Sequence, residues 1–105
     1  MIITTTPSID GQLIKDYNGV IFSEVVLGIN AMKDMSASLR NIFGGRSTAY
    51  EEELRQAQAD ALQELEQRAL QIGANAIVGM RIDYEVLGVN NGMLMIIVSG
   101  TAVTI

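Results

Sequence analysis

The sequence predicts an α+β domain, in which a small, mainly antiparallel sheet packs against helices. Three observations lead to this fold class. A long run that begins near Thr48 repeats apolar residues with the 3.6-residue period of a helix. Two segments near the C-terminus have the composition of strands, and strand-like, β-branched segments also open the chain. With 105 residues, the chain is predicted to form one domain over residues 1–105.

The N-terminal quarter of the chain is predicted to contribute strands. Met1–Thr6 is rich in β-branched residues and is closed by Pro7, and the turn residues SIDGQ follow. The stretch Leu13–Leu27 has strand composition but contains the dipeptide Asn18-Gly19. This dipeptide is typical of a two-residue hairpin turn, and it also suits a bulge or bend in one long strand. Both arrangements stay open at this stage.

A shorter helix is predicted next, over about three turns. Asn30 suits the N-cap position and Gly44 suits the position just beyond the helix end. The steps of three and four residues between its apolar side chains place them on one face, which consists of Met32, Met35, Leu39 and Ile42.

The second helix is the clearest element of the sequence. Thr48 and Glu51 fit the capping box T-x-x-E, and Gly73 is expected to end the helix. The pairs Glu51–Arg55 and Glu64–Arg68 have the four-residue spacing of helical ion pairs. The helix is predicted to bury a narrow stripe formed by Tyr50, Leu54, Ala57, Ala61, Leu65 and Ile72.

The C-terminal segments are predicted to form a hairpin. The alternation in AIVGMRIDYEVL predicts one strand face with Arg81, Asp83 and Glu85, and an opposite face with Val78, Met80, Ile82, Tyr84 and Val86. After the turn GVNNG, the residues Met93–Val98 are all apolar, as expected of a strand buried on both faces. Two helices can cover one face of the sheet. The other face needs a neighbour, which in so short a chain is most simply a second copy.

Composition excludes several classes of function. Seven basic and twelve acidic residues give a net charge of −5, which argues against binding nucleic acid or anionic membranes. Cysteine and histidine are absent, so thiol chemistry, imidazole bases and ordinary zinc sites are excluded. Hydrophobic residues make up 49% of the chain, yet no apolar run approaches the ~20 residues of a spanning helix, and no secretory signal is evident. We therefore expect a cytoplasmic protein whose surplus apolar surface lies at subunit interfaces.

The first candidate site lies at the start of the second helix. Gly44, Gly45, Arg46 and Ser47 precede a helix N-terminus, where free N–H groups and an arginine fork can bind an anion. A P-loop is excluded because its lysine and spacing are missing. The alternative is a tight turn between helices, in which the glycines serve geometry and Arg46 pairs with a carboxylate. We favour the turn, and no catalytic motif is found to indicate an enzyme.

The second candidate site is a metal site without cysteine or histidine. Met93 and Met95 project from one strand face, and thioethers can bind soft Cu⁺. Glu24, Asp83 and Glu85 offer carboxylates that can hold a hard cation or exchange protons. The structural alternatives are methionines that fill a core, as also for Met80, and carboxylates on a solvated strand face beside Arg81. Nothing in the spacing is specific for a metal, so the alternatives are favoured.

Four stretches together resemble the YbjQ-like proteins, a bacterial and archaeal family described as heavy-metal-binding. They are TTTPSIDGQLIKDYNGV, GGRSTAYEEELRQA, GANAIVGMRIDYE and MLMIIVSGTAV, and they span nearly the whole chain in family order. The chain departs from the family at Asn18, where some relatives have cysteine, and at Ser23-Glu24, where Gly-Glu is often found.

The resemblance implies an α+β fold whose strands curl around the long helix, and a ring of subunits, commonly a pentamer. It implies no established reaction, and its only cofactor suggestion is a metal ion. A site shared within the family would lie among its matching polar residues, which include Glu24, Arg46, Ser47, Asp83 and Glu85. By the same resemblance, Arg46, Tyr50 and Glu51 are candidates for the contacts between subunits.

Overall fold

The structure is a computed structural model that describes residues 1–28, 48–88 and 92–105. Four strands form one sheet in the order β1-β3-β4-β2, namely β1 (Ile2–Ile3), β2 (Asp16–Leu27), β3 (Ala76–Leu87) and β4 (Met93–Thr104). Strand β1 runs parallel to β3, whereas β4 is antiparallel to both of its neighbours. The helix α1 (Thr48–Gln71) packs on the sheet. The predicted α+β class and C-terminal hairpin are confirmed, and the predicted helix over Met32–Ile42 lies outside the described residues.

Strand β2 is one long strand with a bulge, and not a hairpin. Its pairing with β4 shifts between Tyr17 and Gly19, and Gly19 has a φ of 145°. The two arrangements left open by Asn18-Gly19 are thereby decided in favour of the bulge. The predicted turn before it is present, since Gln12 N–H donates to the Ile9 carbonyl at 3.1 Å.

The bulge directs the Asn18 side chain toward the end of α1. Asn18 Nδ2 donates to the Ile72 carbonyl at 3.0 Å, and Thr104 Oγ1 donates to Asn18 Oδ1 at 2.9 Å. Carbonyls just after the last helical turn have no partner within the helix, so an amide side chain here satisfies one of them. Asn18 therefore ties the helix end to the last residues of β4.

Replacing Asn18 with alanine is expected to lower the free energy of unfolding by about 1–2 kcal/mol, because two hydrogen bonds are lost. The measurement is urea denaturation followed by circular dichroism. Gln63→Ala is the matched control, since Gln63 is an exposed polar residue on α1, and its expected effect is below about 0.5 kcal/mol. Equal effects of the two substitutions would show that the Asn18 contacts contribute nothing.

Helix α1 packs on the sheet through a stripe of small residues. Ala57, Ala61, Leu65 and Ala69 are 0–3% exposed and recur at every fourth position. Alanine lets the helix backbone approach the strands closely. The predicted end at Gly73 is confirmed by the last helical residue, Gln71, and by the positive φ of Gly73, 82°. The prediction that Ile72 belongs to the stripe is wrong: it follows the helix end and is 43% exposed.

The main core lies between α1 and the sheet. The strands contribute side chains that are at most 7% exposed, among them Ile21, Ile77, Ile96, Val98 and Ala102. Ser23 is fully buried in the same layer, and its hydroxyl donates to the Ala61 carbonyl at 2.5 Å. A polar side chain in this layer is tolerated because that hydrogen bond is made.

A bulge in β3 corrects one predicted strand face. Val78 pairs with Thr101 and Arg81 with Ser99, so β3 has one extra residue between these pairs. Directly opposed residues point to the same face of a sheet, and the extra residue therefore reverses the alternation. Val78 consequently shares a face with Arg81, Asp83 and Glu85, and its predicted place beside Ile82 is wrong.

Gly100 of β4 is packed closely against β3. A Cβ atom built on Gly100 would lie 2.7 Å from Ile77 Cγ2 and 3.4 Å from the Val78 carbonyl oxygen. Ile77 is fully buried, so it has little room to move. Glycine at position 100 is therefore required by packing and not by φ.

Candidate functional site

The candidate site is the face of the sheet that points away from α1, which we call the open face. The pairing of β2, β4 and β3 determines its members, because opposed residues share a face and successive residues alternate. Three rows cross the sheet in this way: Phe22–Ser99–Arg81, Glu24–Ile97–Asp83 and Val26–Met95–Glu85. The same alternation adds Val20, Thr101, Met93 and Leu87 to the open face.

The open face leaves apolar side chains accessible. Val20, Phe22 and Val26 on β2 are 67%, 55% and 52% exposed. On the opposite face of the sheet, which α1 covers, Ile96 and Val98 of β4 are fully buried. The prediction that β4 is buried on both faces is met on the helix side alone within the described residues, since Met93 on the open face is 37% exposed. Burial of the open face by a second copy stays a prediction.

One end of the open face is closed by the chain itself. Ala76, Val78 and Val103 form a second buried cluster there, and the partly buried Ile9, Ile14 and Ile105 pack against it. The N-terminal segment and the C-terminal residue therefore act as a cover for this end. The accessible part of the open face runs from about Val20 toward the opposite end of the sheet.

All five predicted metal-ligand candidates lie on the open face. These are Glu24 on β2, Asp83 and Glu85 on β3, and Met93 and Met95 on β4. The structure brings them onto one surface but not into one cluster. Strands are spaced about 4.8 Å apart, so Glu24 and Asp83, on either side of β4, are separated by about 10 Å.

The charged groups of the open face are arranged asymmetrically. Arg81 donates to Asp83 at 3.1 Å on the β3 side, whereas Glu24 on β2 has no hydrogen bond or ion pair within the described ranges. No group of three or more Asp or Glu residues able to hold a metal occurs in residues 1–28, 48–88 and 92–105. The described residues of one protomer therefore do not by themselves assemble a carboxylate metal site there. Met80, in contrast, packs against the helix-side core, as its structural alternative predicts.

The predicted anion site falls mostly outside the described residues. This applies to Gly44, Gly45, Arg46 and Ser47, and the Tyr50 side chain is likewise not described. Glu51 lies in the first described turn of α1 and pairs with Arg55 at 3.9 Å. The expected pair Glu64–Arg68 is also formed, at 2.7 Å. Anion binding at the helix start therefore stays a prediction.

Three polar positions of structural importance escaped prediction. Ser23 interrupts an apolar strand face, which was a visible signal for a buried hydrogen bond. Asn75 uses both ends of its amide on the backbone of Ile105, as donor at 3.0 Å and as acceptor at 2.8 Å. Arg68 donates to the Phe22 carbonyl on β2 in addition to its contact with Glu64. Nothing in the sequence signals the last two contacts.

No helix in the described part of the chain is both long enough and apolar enough to cross a membrane.

Fold and site together define an α+β protein whose mixed four-stranded sheet carries a long helix on one face and an accessible apolar surface with scattered charges on the other. The chain belongs to the YbjQ-like family, since the family model described as "Putative heavy-metal-binding" matches residues 1–105. The resemblance noted in the sequence is thereby confirmed.

Relatives and a solved structure agree with this assignment. A UPF0145 protein of Clostridium botulinum is 62% identical over 103 residues, which cover 98% of this chain and 97% of the relative. A UPF0145 protein of Listeria monocytogenes is 58% identical over 105 residues, covering 100% and 96%. A crystal structure of a DUF74-family protein of unknown function from Pediococcus pentosaceus matches with a TM-score of 0.69 and 20% identity, covering 100% of this chain and 97% of that one. That likeness shows the fold.

Proposed function

We propose that the protein is a cytoplasmic, ring-forming homo-oligomer that acts as a binding or structural module, with the open face turned toward other copies. The observation that supports this proposal is the exposure of Val20, Phe22 and Val26 on one surface. Exposed apolar side chains gathered on one sheet face mark interaction sites, and here Glu24 lies among them, between Phe22 and Val26. A second copy is the simplest partner, because homo-oligomers with closed symmetry are the most common soluble assemblies. An anion site at Gly44–Ser47 belongs to the proposal on sequence grounds alone.

Light scattering coupled to size-exclusion chromatography tests the assembly. At micromolar concentration we expect a mass well above the 11.3 kDa of one protomer, and about 57 kDa for a pentamer. Phe22→Glu is expected to weaken assembly at least about tenfold, because a charge would enter an apolar contact. Leu70→Glu is the matched control, since Leu70 is 52% exposed on α1 and outside the open face. A wild-type protein that elutes as a monomer at tens of micromolar would contradict the proposal.

The second candidate function is metal binding between subunits. It is favoured by one observation: all five carboxylate and thioether candidates share the open face, although a single protomer keeps Glu24 about 10 Å from Asp83. A neighbouring copy can supply the missing ligands. Carboxylates would select a hard cation such as Mn²⁺, whereas Met93 and Met95 would select soft Cu⁺.

Elemental analysis after incubation with Mn²⁺ or Cu⁺ and desalting tests this function. If it is correct, a stoichiometric amount of one metal is retained per protomer or per ring. Glu24→Gln is expected to abolish retention of Mn²⁺, and Met95→Leu to abolish retention of Cu⁺. Glu53→Gln on the exposed surface of α1 is the control and should retain either metal normally. Retention of neither metal by the wild-type protein would exclude the site.

A further inference from the structure

Among the described residues, the outer edge of β2 has no strand paired with it. Arg68 donates to the Phe22 carbonyl, so this carbonyl points away from β4. In an antiparallel pair, alternate residues direct both N–H and C=O outward. Val20, Phe22, Glu24 and Val26 therefore present their backbone groups at the outer edge, and no described residue pairs with them through its backbone.

Among the described residues, the outer edge of β3 is covered along its first half and not beyond it. Ile77 accepts from Thr4 N–H at 2.9 Å, and Gly79 and Met80 donate to the Thr6 and Thr4 carbonyls at 2.8 and 3.0 Å. Beyond Met80 the N-terminal segment makes no further backbone contact with this edge. By the same alternation, three residues beyond this point direct their backbone groups outward. They are Ile82, Tyr84 and Val86, which pair across β4 with Val98, Ile96 and Leu94.

Apolar side chains are also exposed along both of these edges, which have no partner strand among the described residues. Tyr84 and Val86 are 46% and 54% exposed on β3, comparable to Phe22 and Val26 on β2. Natural proteins usually protect a long edge strand with proline, lysine or a bulge, because such an edge pairs readily with another chain. The stretch Val20–Val26 carries one charged residue, Glu24, but no proline, lysine or bulge.

We propose that β2 of one copy pairs in parallel with the free half of β3 of the next copy, so that the sheet continues from subunit to subunit. The inference rests on the proposed self-association and names one contact within it, at the sheet edges beside the open face. Strands β2 and β3 are both antiparallel to β4, and they therefore run in the same direction. A contact between them that repeats around a ring must be parallel, and it is heterologous, as rings require.

The pleat of the two edges fits this parallel pairing. In a parallel ladder, the outward residues of one strand lie between the outward residues of the other, so their side chains occupy opposite faces. The residues of β2 whose backbone groups point outward have their side chains on the open face. Those of β3 have their side chains on the face covered by α1. Both open faces would thus join without a break. The Phe22 carbonyl has two lone pairs and can accept from a neighbouring strand as well as from Arg68.

The same junction places a charge partner beside Glu24. Within one protomer the charged residues of β3 are two strand spacings away from Glu24, whereas across the junction they are one spacing away, about 4.8 Å. Arg81 is the cation among them, and its side chain is 74% exposed and has donors to spare beside its bond to Asp83. A two-fold pairing of β2 with a second β2 would leave Ile82, Tyr84 and Val86 bare.

Proline substitution tests the backbone pairing. Glu24→Pro removes an outward N–H while leaving the pairing of β2 with β4 intact, so folded monomers of 11.3 kDa are expected. Tyr84→Pro should do the same from the β3 side. Glu24→Gln keeps the N–H and removes only the charge, so it is the comparison variant and is expected to stay oligomeric, with assembly weaker than that of the wild type but much stronger than that of Glu24→Pro. An assembled Glu24→Pro protein would overturn the inference.

Disulfide trapping decides the matter even if the proline variants do not fold. The wild-type chain has no cysteine, so only engineered pairs can react. Glu24→Cys is combined in turn with Arg81→Cys, Asp83→Cys or Glu85→Cys, pairs that lie too far apart within one protomer. We expect one double variant to give a ladder of covalent oligomers, and Glu24→Cys alone to give none. An oligomer by mass without any ladder, or dimers from Glu24→Cys alone, overturns the pairing but not self-association, whereas a monomeric wild type removes both.

Discussion

Leu65→Ala is expected to lower the free energy of unfolding by about 2–5 kcal/mol, the range for removing a fully buried leucine side chain. Leu65 is 0% exposed and belongs to the core between α1 and the sheet. Its neighbours along the helix stripe are Ala61 and Ala69, which have no side-chain length with which to fill the space. The cost should therefore lie toward the upper part of this range.

Urea denaturation at a fixed protomer concentration measures this effect, because assembly would otherwise alter the apparent stability. Leu70→Ala is the matched control on the same helix. Leu70 is 52% exposed, so its truncation should cost less than about 1 kcal/mol. A loss at Leu65 no larger than that at Leu70 would mean that α1 does not pack on the sheet as described.

Gly100→Ala is expected to destabilise the protein by about 1–3 kcal/mol, although it adds only one methyl group. The added Cβ would lie 2.7 Å from Ile77 Cγ2. The Val78 carbonyl oxygen, also on β3, would be 3.4 Å away and leaves the new methyl group little room to shift. Cγ2 can move away only if Ile77 changes its χ1 rotamer, which is costly for a β-branched side chain that is fully buried. The measurable result is a melting temperature lower by roughly 4–8 °C per kcal/mol.

Two variants separate this steric effect from a general loss of glycine flexibility. Gly28→Ala is the control, because a Cβ there would meet no atom within 4 Å, and its effect should stay within about 0.5 kcal/mol. Ile77→Leu removes the branched methyl group, so the double variant Gly100→Ala/Ile77→Leu should lose less stability than the two single changes added together. Strict additivity would show that the Gly100–Ile77 contact is not the cause.

Local signals were sufficient to predict the helix and the hairpin. The end of α1 at Gly73 follows from residues that are neighbours in sequence, and the sequence shows them directly. The bulges in β2 and β3 could not be predicted in this way, because each depends on pairing with β4, which is distant in sequence. One extra residue near Gly79 was enough to transfer Val78 to the other face.

The candidate site was predictable in its parts but not as a surface. Alternation alone places Asp83 with Glu85, and Met93 with Met95. That Glu24 shares their face depends on the pairing of β2 with β4, which no local pattern reveals. The separation of Glu24 from the β3 carboxylates is likewise a property of strand order. The sequence shows five candidate ligands, but it does not show that β4 separates Glu24 from Asp83 and Glu85.

If subunits join as proposed, the equal direction of the two sheet edges that the described residues leave without a partner strand has a consequence for faulty assembly. A contact between unlike edges has no internal stop, so each added subunit presents a fresh edge for the next one. Only the angle through which successive subunits turn brings the last edge back to the first. In the proposed assembly the bulges near Gly19 and Gly79 would help to set that angle, because bulges increase strand twist. Changes that flatten these kinks would favour open filaments over smaller closed particles.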